Sequence, residues 1–340
     1  MVTKHDFSSS SDEDYAVVNP EDTNEKKSSY LRDGFKAVSS MYKQWGSKDA
    51  LIAVMGMTGS GKTTFISRVT GRTDLKIGYD LSSCTQEIEV VETKIDDRVV
   101  RFVDTPGFSD THLSDTEVLE MIADYLAAAY SQKMQLSGII YLHPISDNRF
   151  THHMAKNLEM FKKLTGQKNL KNVVLTTSMW DRVGEVEGGR REIQLRENYW
   201  NLLLAFGAKM ARFDGTADGA REIAATLAAN HEPFYVQLQE EMGKGHKSLK
   251  DTAAGQEIMQ ELARLREKHE KELSEMKEMM LRTSAEENKA AAAALETHYK
   301  KMLGDMEKTL EDERRMNAEA VKSLNERIEA LERRGGCCVM

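Results

Sequence analysis

The sequence predicts an α/β fold, with a mostly parallel sheet and helices on both of its faces, followed by a long helical tail. Between residues 48 and 232, short apolar runs rich in β-branched residues alternate with helical patterns, which is typical of strands joined by helical crossovers. A glycine-rich loop follows the first of these runs, at residues 56–63. Beyond Pro233 the chain contains no proline, and Lys, Glu, Met, Leu and Ala dominate, as they do in long helices.

The alternation places the elements in chain order. Because short apolar runs between polar turns are typical of buried strands, we expect strands near 50–56, 87–95, 98–104, 137–143, 171–177 and 208–213. Helical patterns lie near 62–70, 115–133, 149–165, 190–206 and 217–229. The chain then divides into an acidic, Ser-rich segment at 1–47, whose first part is expected to be disordered, the α/β domain at 48–232, a long helix or coiled coil at 233–334, and a short tail at 335–340.

The composition excludes several classes of protein. With 47 Lys and Arg against 55 Asp and Glu, the chain has no basic excess, so we expect no nucleic acid as a partner. The three cysteines, two of which are close to the C-terminus, cannot form a disulfide framework, which favours a reducing compartment. No run approaches the roughly 18 apolar residues of a membrane-spanning helix. The N-terminal residues lack the apolar core of a signal peptide, and Val2 excludes N-myristoylation, so we expect a cytoplasmic protein.

The segment GMTGSGKT at residues 56–63 fits the phosphate-binding loop (P-loop) pattern G-x-x-x-x-G-K-[ST]. Glycines allow the backbone N–H groups of such a loop to point at phosphate oxygens, and the following helix adds the positive end of its dipole. In this pattern the lysine reaches the β- and γ-phosphates, and the hydroxyl after it binds Mg²⁺. The predicted nucleotide-binding residues of the loop are Gly56, Thr58, Gly59, Ser60, Gly61, Lys62, Thr63 and Thr64.

A second motif, RFVDTPG at residues 101–107, points to a GTPase switch. A strand that ends in Asp-x-x-Gly supplies a carboxylate to the Mg²⁺ shell, here Asp104, and a glycine N–H that senses the γ-phosphate, here Gly107. Between the two motifs, Thr85 is positioned to be a second hydroxyl ligand of Mg²⁺, although an ordinary polar loop residue is the alternative. We therefore expect Lys62, Thr85 and Gly107 to act in catalysis, and Thr63, Thr85 and Asp104 to bind the metal.

The order of these motifs resembles the G domain of translation-factor-class GTPases. More narrowly, the segments GIIYLHPISDNR, NVVLTTSMWD and MARFDGT, at 138–149, 172–181 and 210–216, resemble the septin, chloroplast-import (Toc) and immunity-associated (GIMAP, AIG-type) GTPases, above all their fungal relatives. The resemblance covers roughly residues 48–230. It implies a Ras-like G domain that binds GTP or GDP with Mg²⁺, hydrolyses GTP slowly, and forms homo-oligomers across the nucleotide face.

The base-binding segment departs from the usual Asn-Lys-x-Asp. Here it reads SMWD, so Asp181 keeps the carboxylate that reads guanine, while Met179 replaces the lysine whose stem covers the base. Met179 and Trp180 are both candidates for an apolar cover of the base, with a packing role as the alternative for Trp180. In the loop after the sixth strand, the resemblance places Asp214 at a second base contact. We expect the base to be guanine.

Hydrolysis lacks its usual residue, because the position after Asp-x-x-Gly carries Phe108 instead of the glutamine that orients water. The missing group must come from elsewhere in the chain or from a partner. His143, Asp147 and Arg149 follow the fourth strand and are candidates, with a packing role as the alternative for His143.

The tail carries apolar residues at spacings of three and four, in blocks that are typical of coiled coils. The pattern breaks at 284–295, so we do not expect one continuous seam. Self-association is the favoured interpretation, and a solvated helix or one that folds back on the domain is the alternative. The apolar residues fall into four blocks: Ile258, Leu262 and Leu265; Leu273, Met276 and Met280; Leu303, Met306 and Leu310; and Val321, Leu324, Ile328 and Leu331.

The last four residues, CCVM, have the form of a prenylation signal on Cys337. Methionine at the end favours farnesyl, but the double cysteine also fits geranylgeranyl. The sequence therefore predicts a cytoplasmic GTP-binding switch or scaffold that attaches to a membrane surface through a lipid. Two other functions stay open: a structural GTP-binding protein that assembles as septins do without hydrolysis, and a P-loop ATPase with a degenerate base site.

Overall fold

A computed structural model describes residues 45–46, 49–75, 88–110, 112–283 and 289–317. The predictions for the N-terminal segment, for Thr85 and for Cys337 lie outside these residues. The strands are β1 (Ala50–Gly56), β2 (Glu89–Ile95), β3 (Arg98–Asp104), β4 (Gly138–Pro144), β5 (Val173–Ser178) and β6 (Lys209–Arg212). The helices are α1 (Lys62–Thr70), α2 (Asp115–Ser131), α3 (His152–Thr165), α4 (Glu185–Gln194), α5 (Asn201–Ala205), α6 (Ala217–Ala228), α7 (Gln237–Met242), α8 (Ala253–Thr283) and α9 (Lys289–Asn317).

The six strands form one sheet in the order β2-β3-β1-β4-β5-β6. Among the described strands, only β2 runs antiparallel to its neighbour, because two residues join it to β3 and a turn that short permits no crossover. Asp96 in this turn has a φ of 52°, as tight hairpins require. The central strands β1, β4 and β5 are buried along their whole length, which explains their continuous apolar sequences. The predicted fold class is confirmed.

Helices cover both faces of the sheet. On one face, α1 and α6 pack through side chains that include Phe65, Ile66 and Leu227. On the other face lie α2 and α3, with Leu119 and Phe161 among their buried residues. The P-loop and the ends of β3, β4 and β5 thereby meet at one edge, where ligands of open α/β sheets bind.

The region predicted as one helix at 190–206 contains α4, a π-helical turn at Leu195–Tyr199, and α5. Helix α4 begins earlier than expected, at Glu185, and acidic residues in its first turn favour the positive end of the helix. Burial of Leu195, Trp200 and Leu203 against the core holds the irregular turn in place. The sequence showed this apolar spacing but not the wider turn.

The C-terminal region differs from one long helix over 233–334. Helices α8 and α9 lie antiparallel, with Arg266 paired to Glu313 at 2.7 Å. The start of α8 joins the domain core through Ile258 and Leu262, and the end of α9 joins it through Met316. Within the described residues the tail therefore folds back on the domain, because its apolar stripe finds a partner in the same chain. Pairing between two chains stays a prediction, and no helix in the described part of the chain is long and apolar enough to cross a membrane.

Candidate nucleotide-binding site

The P-loop connects β1 to α1 in a conformation that its glycines make possible. A Cβ on Gly56 would lie 2.4 Å from the carbonyl oxygen of Leu142 on β4, so the loop leaves the sheet through a gap that admits no side chain. Gly61 has a φ of 90° and occupies the N-cap of α1, a left-handed conformation that glycine adopts without strain. The loop therefore wraps the N-terminus of α1, where backbone N–H groups and the helix dipole attract anions.

Lys62 is held inside this loop. Its Nζ donates to the carbonyl oxygens of Gly56 at 3.2 Å and Met57 at 3.0 Å. Burial lowers the pKa of the Lys62 ammonium to about 8, and the carboxylates of Asp104 and Asp110 oppose that shift. The ammonium is thus anchored by the loop itself at the place where the pattern puts the β- and γ-phosphates.

Thr63 and Asp104 lie together beside Lys62. The Thr63 hydroxyl donates to Oδ2 of Asp104 at 2.7 Å. Burial raises the pKa of the Asp104 carboxyl to about 6, although the Thr63 hydrogen bond and the Lys62 charge act in the opposite direction. Oδ1 of Asp104 is buried and has no hydrogen-bond partner among the described residues. This pair of oxygen donors fits Mg²⁺, which usually takes one or two protein carboxylates and completes its shell with phosphates and water.

No group of three or more His, Cys, Asp or Glu side chains with metal-binding geometry exists within the described ranges.

Gly107 lies directly against the P-loop. A Cβ on Gly107 would lie 2.4 Å from the backbone nitrogen of Thr58. The same Thr58 N–H donates to the carbonyl oxygen of Phe108 at 3.0 Å, and the Thr58 hydroxyl donates to Oδ2 of Asp110 at 3.1 Å. The aromatic ring of Phe108 is buried in the core, so the side chain points away from any position where it could contact water at the phosphates.

The end of β5 is tied to the P-loop by Ser178. Its hydroxyl donates to the carbonyl oxygen of Ser60 at 2.8 Å, a contact that the sequence does not reveal because the two residues are 118 positions apart. Met179 follows with a φ of 60°, an uncommon conformation for a residue with a side chain. Asp181 is exposed, and its carboxylate makes no hydrogen bond or ion pair with another described side chain.

Trp180 is a packing residue in this arrangement. Its Nε1 donates to the Thr177 hydroxyl at 3.0 Å, and the Arg212 guanidinium lies 4.2 Å from the ring centre. A Cβ on Gly188 of α4 would lie 2.8 Å from the ring, so the helix packs directly on the indole. Of the two interpretations of Trp180, the structure favours packing, with the indole fixing the loop that carries Asp181.

Asp214 uses its carboxylate within its own loop. Oδ1 accepts from the backbone N–H of Thr216 at 2.9 Å and from its hydroxyl at 2.7 Å. These hydrogen bonds lower the pKa of Asp214. Since Thr216 is the N-cap of α6, the carboxylate supports the start of a helix, which differs from the predicted base contact. Beside it, Phe213 packs on Phe65 of α1 with ring centres 5.1 Å apart.

Of the candidates after β4, His143 has the packing role that was its alternative, and the roles of Asp147 and Arg149 stay predictions. His143 is buried between Phe150 and Trp200, and burial lowers its pKa to about 4, so its ring is neutral at pH 7. Burial raises the pKa of Asp147, and Arg149 is exposed. Arg191, which the sequence did not single out, holds this loop through the carbonyl oxygens of Ile145 and Ser146.

Comparisons with known proteins agree with this geometry. Residues 51–177 match the model of the 50S ribosome-binding GTPase family. Translation initiation factor IF-2 of Lactobacillus gasseri is 26% identical over 111 residues, which are 32% of this chain and 12% of the factor. The uncharacterized protein YkfA of Escherichia coli is 23% identical over 141 residues, 42% of this chain and 45% of YkfA. The chain thus spans less than half the length of either relative.

Among solved structures, Toc33 from Arabidopsis thaliana, in complex with Mg²⁺ and GMPPNP, superposes with a TM-score of 0.43 and 13% identity, covering 60% of this chain and 94% of Toc33. The chain's own sheet order, its P-loop with Lys62 anchored on the loop carbonyls, and the family match over the same strands lead to one conclusion. Residues 51–177 of this chain match the model of that GTPase family, and the chain has the fold of a P-loop G domain.

Proposed function

We propose that this protein is a Mg²⁺-dependent, guanine-nucleotide-binding switch of the septin, Toc and immunity-associated group, with slow GTP hydrolysis. One observation carries the proposal: Lys62, the Thr63–Asp104 pair and Gly107 are assembled around the same loop. Burial of a lysine and a carboxylate is costly, so a glycine-rich turn that matched the P-loop pattern by chance is not expected to place the two beside each other.

The residues at this site take separate roles. The N–H groups of the P-loop and the Lys62 ammonium bind the β- and γ-phosphates. Thr63 and Asp104 hold Mg²⁺, which neutralises charge that develops on the phosphates. Gly107 contributes an N–H to the γ-phosphate, and Thr85 closes the first switch loop over the metal. Binding of GTP thereby orders residues 82–86 and 107–114, and hydrolysis releases them.

Asp181 reads guanine. A carboxylate accepts hydrogen bonds from N1–H and the exocyclic amine of guanine, and adenine offers no such pair. The exposed position of Asp181 at the end of β5 and the rigid loop beneath it, fixed by Trp180, support this role. Asp214 acts indirectly, because its carboxylate shapes the loop after β6.

The tail is proposed to attach the protein to membranes. A prenyl group on Cys337 would give a peripheral membrane protein in the cytoplasm, and pairing of two chains would bring two lipids to the surface together. The buried face of α8 already contacts the domain, which leaves residues beyond Asn317 as the segment for such pairing.

The proposal is tested by nucleotide binding to the full chain. A fluorescent GTP analogue should bind wild type in the presence of Mg²⁺, and Lys62→Ala should abolish binding because the phosphates lose the point charge of the loop. Lys300→Ala, which removes an exposed lysine of α9, is the matched control and should bind as wild type does. Micromolar affinity retained by Lys62→Ala would reject the P-loop assignment.

Hydrolysis is tested separately. If a second chain completes the site, phosphate release per molecule should rise as the protein concentration is raised from nanomolar to tens of micromolar. A rate that stays flat over that range rejects assistance by dimerisation. Binding without phosphate release in a single turnover would favour the structural, septin-like function.

A further inference from the structure

We infer that Asp110 orients the water that attacks the γ-phosphate of GTP, with the Thr58 hydroxyl as its partner. This inference rests on the proposed GTPase function and assigns a residue to the step for which Phe108 is unsuited. Asp110 lies in the loop between β3 and α2, three residues after Gly107. It matches no position of the P-loop, Asp-x-x-Gly or base motifs.

The first argument is the contact with the P-loop. Oδ2 of Asp110 lies 3.1 Å from the hydroxyl of Thr58, and Thr58 is bound through its backbone N–H to Phe108. The loop after β3 therefore crosses the P-loop at Thr58, and the Asp110 carboxylate is the acidic group at that crossing. Because Gly107 is packed on the same residue, the carboxylate lies on the side of the P-loop where Gly107 would meet the γ-phosphate.

The second argument is electrostatic. The charges of two carboxylates, Asp104 and Asp110, raise the pKa of the Lys62 ammonium against the effect of its burial. Coulomb interactions weaken with distance, so Asp110 lies near the ammonium that would contact the terminal phosphates. Asp104 accepts from Thr63 at the predicted metal position, whereas Asp110 accepts from Thr58 of the P-loop.

The third argument is that the carboxylate is held in one orientation. Its Oδ1 accepts from the backbone N–H of His112 at 2.7 Å and from that of Leu113 at 3.2 Å. This leaves Oδ2 directed at Thr58. An ionised carboxylate only accepts hydrogen bonds, whereas a hydroxyl both donates and accepts. A water beside this pair, within hydrogen-bond distance of both oxygens, can donate to both, which turns a lone pair of the water toward phosphorus.

Two other side chains near the site are buried in the described structure. The ring of Phe108 is in the core, and His143 is buried between two aromatic rings.

The reaction balances without any change at Asp110. The water oxygen forms a bond to the γ-phosphorus, while the bond from that phosphorus to the β,γ-bridging oxygen breaks, and its electron pair leaves on GDP. The proton lost by water ends on the released phosphate. Asp110 contributes orientation, and in the ground state its negative charge opposes the γ-phosphate. Its removal should therefore slow hydrolysis while leaving GTP binding equal or tighter.

The test compares Asp110→Ala and Asp110→Asn with wild type in single-turnover hydrolysis of GTP. We expect Asp110→Ala to be about 100-fold slower, the usual scale for losing a positioned group. Asp110→Asn should be less impaired, because the amide oxygen still accepts from water. In both variants the ratio of GTP to GDP affinity should stay the same or increase.

A matched control separates water orientation from loop support. Oδ1 of Asp115 accepts from the backbone N–H of Ser109 at 2.7 Å, so Asp115→Ala removes a support of the same loop without touching Thr58. It should hydrolyse GTP within a few-fold of wild type. If Asp115→Ala is as slow as Asp110→Ala, Asp110 only supports the loop and the inference is overturned.

Trapping with aluminium fluoride gives a readout that does not depend on turnover. Fluorescent GDP with aluminium fluoride, a mimic of the transferring phosphoryl group, should form a slowly dissociating complex with wild type but not with Asp110→Ala, since transition-state contacts are lost selectively. A variant that traps and hydrolyses as wild type does overturns the inference and leaves the proposed function intact. A wild-type chain that binds GTP but never releases phosphate also overturns it, and a chain that binds no GTP overturns the proposed function as well.

Discussion

Replacing Gly107 with alanine should uncouple the loop after β3 from the P-loop. The added Cβ would lie 2.4 Å from the nitrogen of Thr58, 2.4 Å from its Oγ1 and 2.5 Å from its Cα. Two of these atoms belong to the backbone, so no side-chain rotation relieves the clash. Overpacking of this kind costs about 1–3 kcal/mol. The two loops must separate by breaking the hydrogen bond from Thr58 to Phe108.

Separation of the two loops should weaken the binding of GTP more than the binding of GDP. GDP is held by the P-loop and Lys62, which the substitution leaves in place, whereas the γ-phosphate also needs the Gly107 N–H. Since about 1.4 kcal/mol corresponds to a tenfold change in affinity, the ratio of GTP to GDP affinity should fall by roughly 5- to 150-fold. Competition titrations against a fluorescent GDP analogue measure that ratio directly.

The control for this variant is Gly189→Ala in α4, where a Cβ would meet no atom within 4 Å. It should leave both affinities unchanged and stabilise the fold by about 0.5–1 kcal/mol, because alanine favours helix interiors. If Gly107→Ala keeps the wild-type affinity ratio within twofold, close packing of Gly107 on Thr58 is not the basis of γ-phosphate sensing.

Three further predictions concern other parts of the chain. His143 has a pKa of about 4 in the fold against about 6.5 when unfolded, so acid favours the unfolded state. The contribution of neutral His143 to the free energy of unfolding is intact above pH 6.5 and is lost as the pH falls toward 4. Urea unfolding at pH 7.5 and 5 should show wild type losing about 2 kcal/mol more than His143→Asn, and equal losses would refute this. Asp181→Asn should shift preference from GTP toward xanthosine triphosphate, and an unchanged ranking in competition would show that Asp181 does not read the base. Arg315 pairs with Glu117 at 2.5 Å and Glu120 at 3.4 Å. Arg315→Ala should therefore increase hydrogen exchange in α9, with a loss of about 1–3 kcal/mol in its local stability. Unchanged protection would mean that these pairs do not hold α9 on the domain.

Within the G domain the sequence predicted the bounds of several elements closely, because the residues of those elements carry strong local signals. The bounds expected for β1, β3 and α1 are those observed, since buried parallel strands and a P-loop helix leave strong signals. The packing of the C-terminal helices was not predictable in the same way. The spacing of Ile258 and Leu262 specified an apolar stripe but not its partner, which turned out to be the domain core.

In the site, too, the sequence predicted the contacts that lie within motifs but not the contacts between distant segments. The contacts of Lys62, Thr63 and Asp104 follow from the P-loop and Asp-x-x-Gly patterns, whose chemistry fixes the geometry. Asp110 was missed because its importance lies in a tertiary contact with Thr58, 52 positions away in the chain. Asp214 was assigned by resemblance, and the structure uses its carboxylate for the loop of Thr216, a competition between local capping and ligand contact that a motif does not resolve.

The central claim, that the G domain binds guanine nucleotides through an ordered P-loop and Asp181, is tested most directly by competition binding to the full chain. A fluorescent GTP analogue bound in Mg²⁺ should be displaced by unlabelled GTP and GDP at micromolar or lower concentration, and ATP should be at least about 100-fold weaker, because a site built to pair with guanine leaves its carboxylate unsatisfied by adenine. Displacement by ATP at the same concentration as GTP would contradict the account and identify a P-loop ATPase in its place.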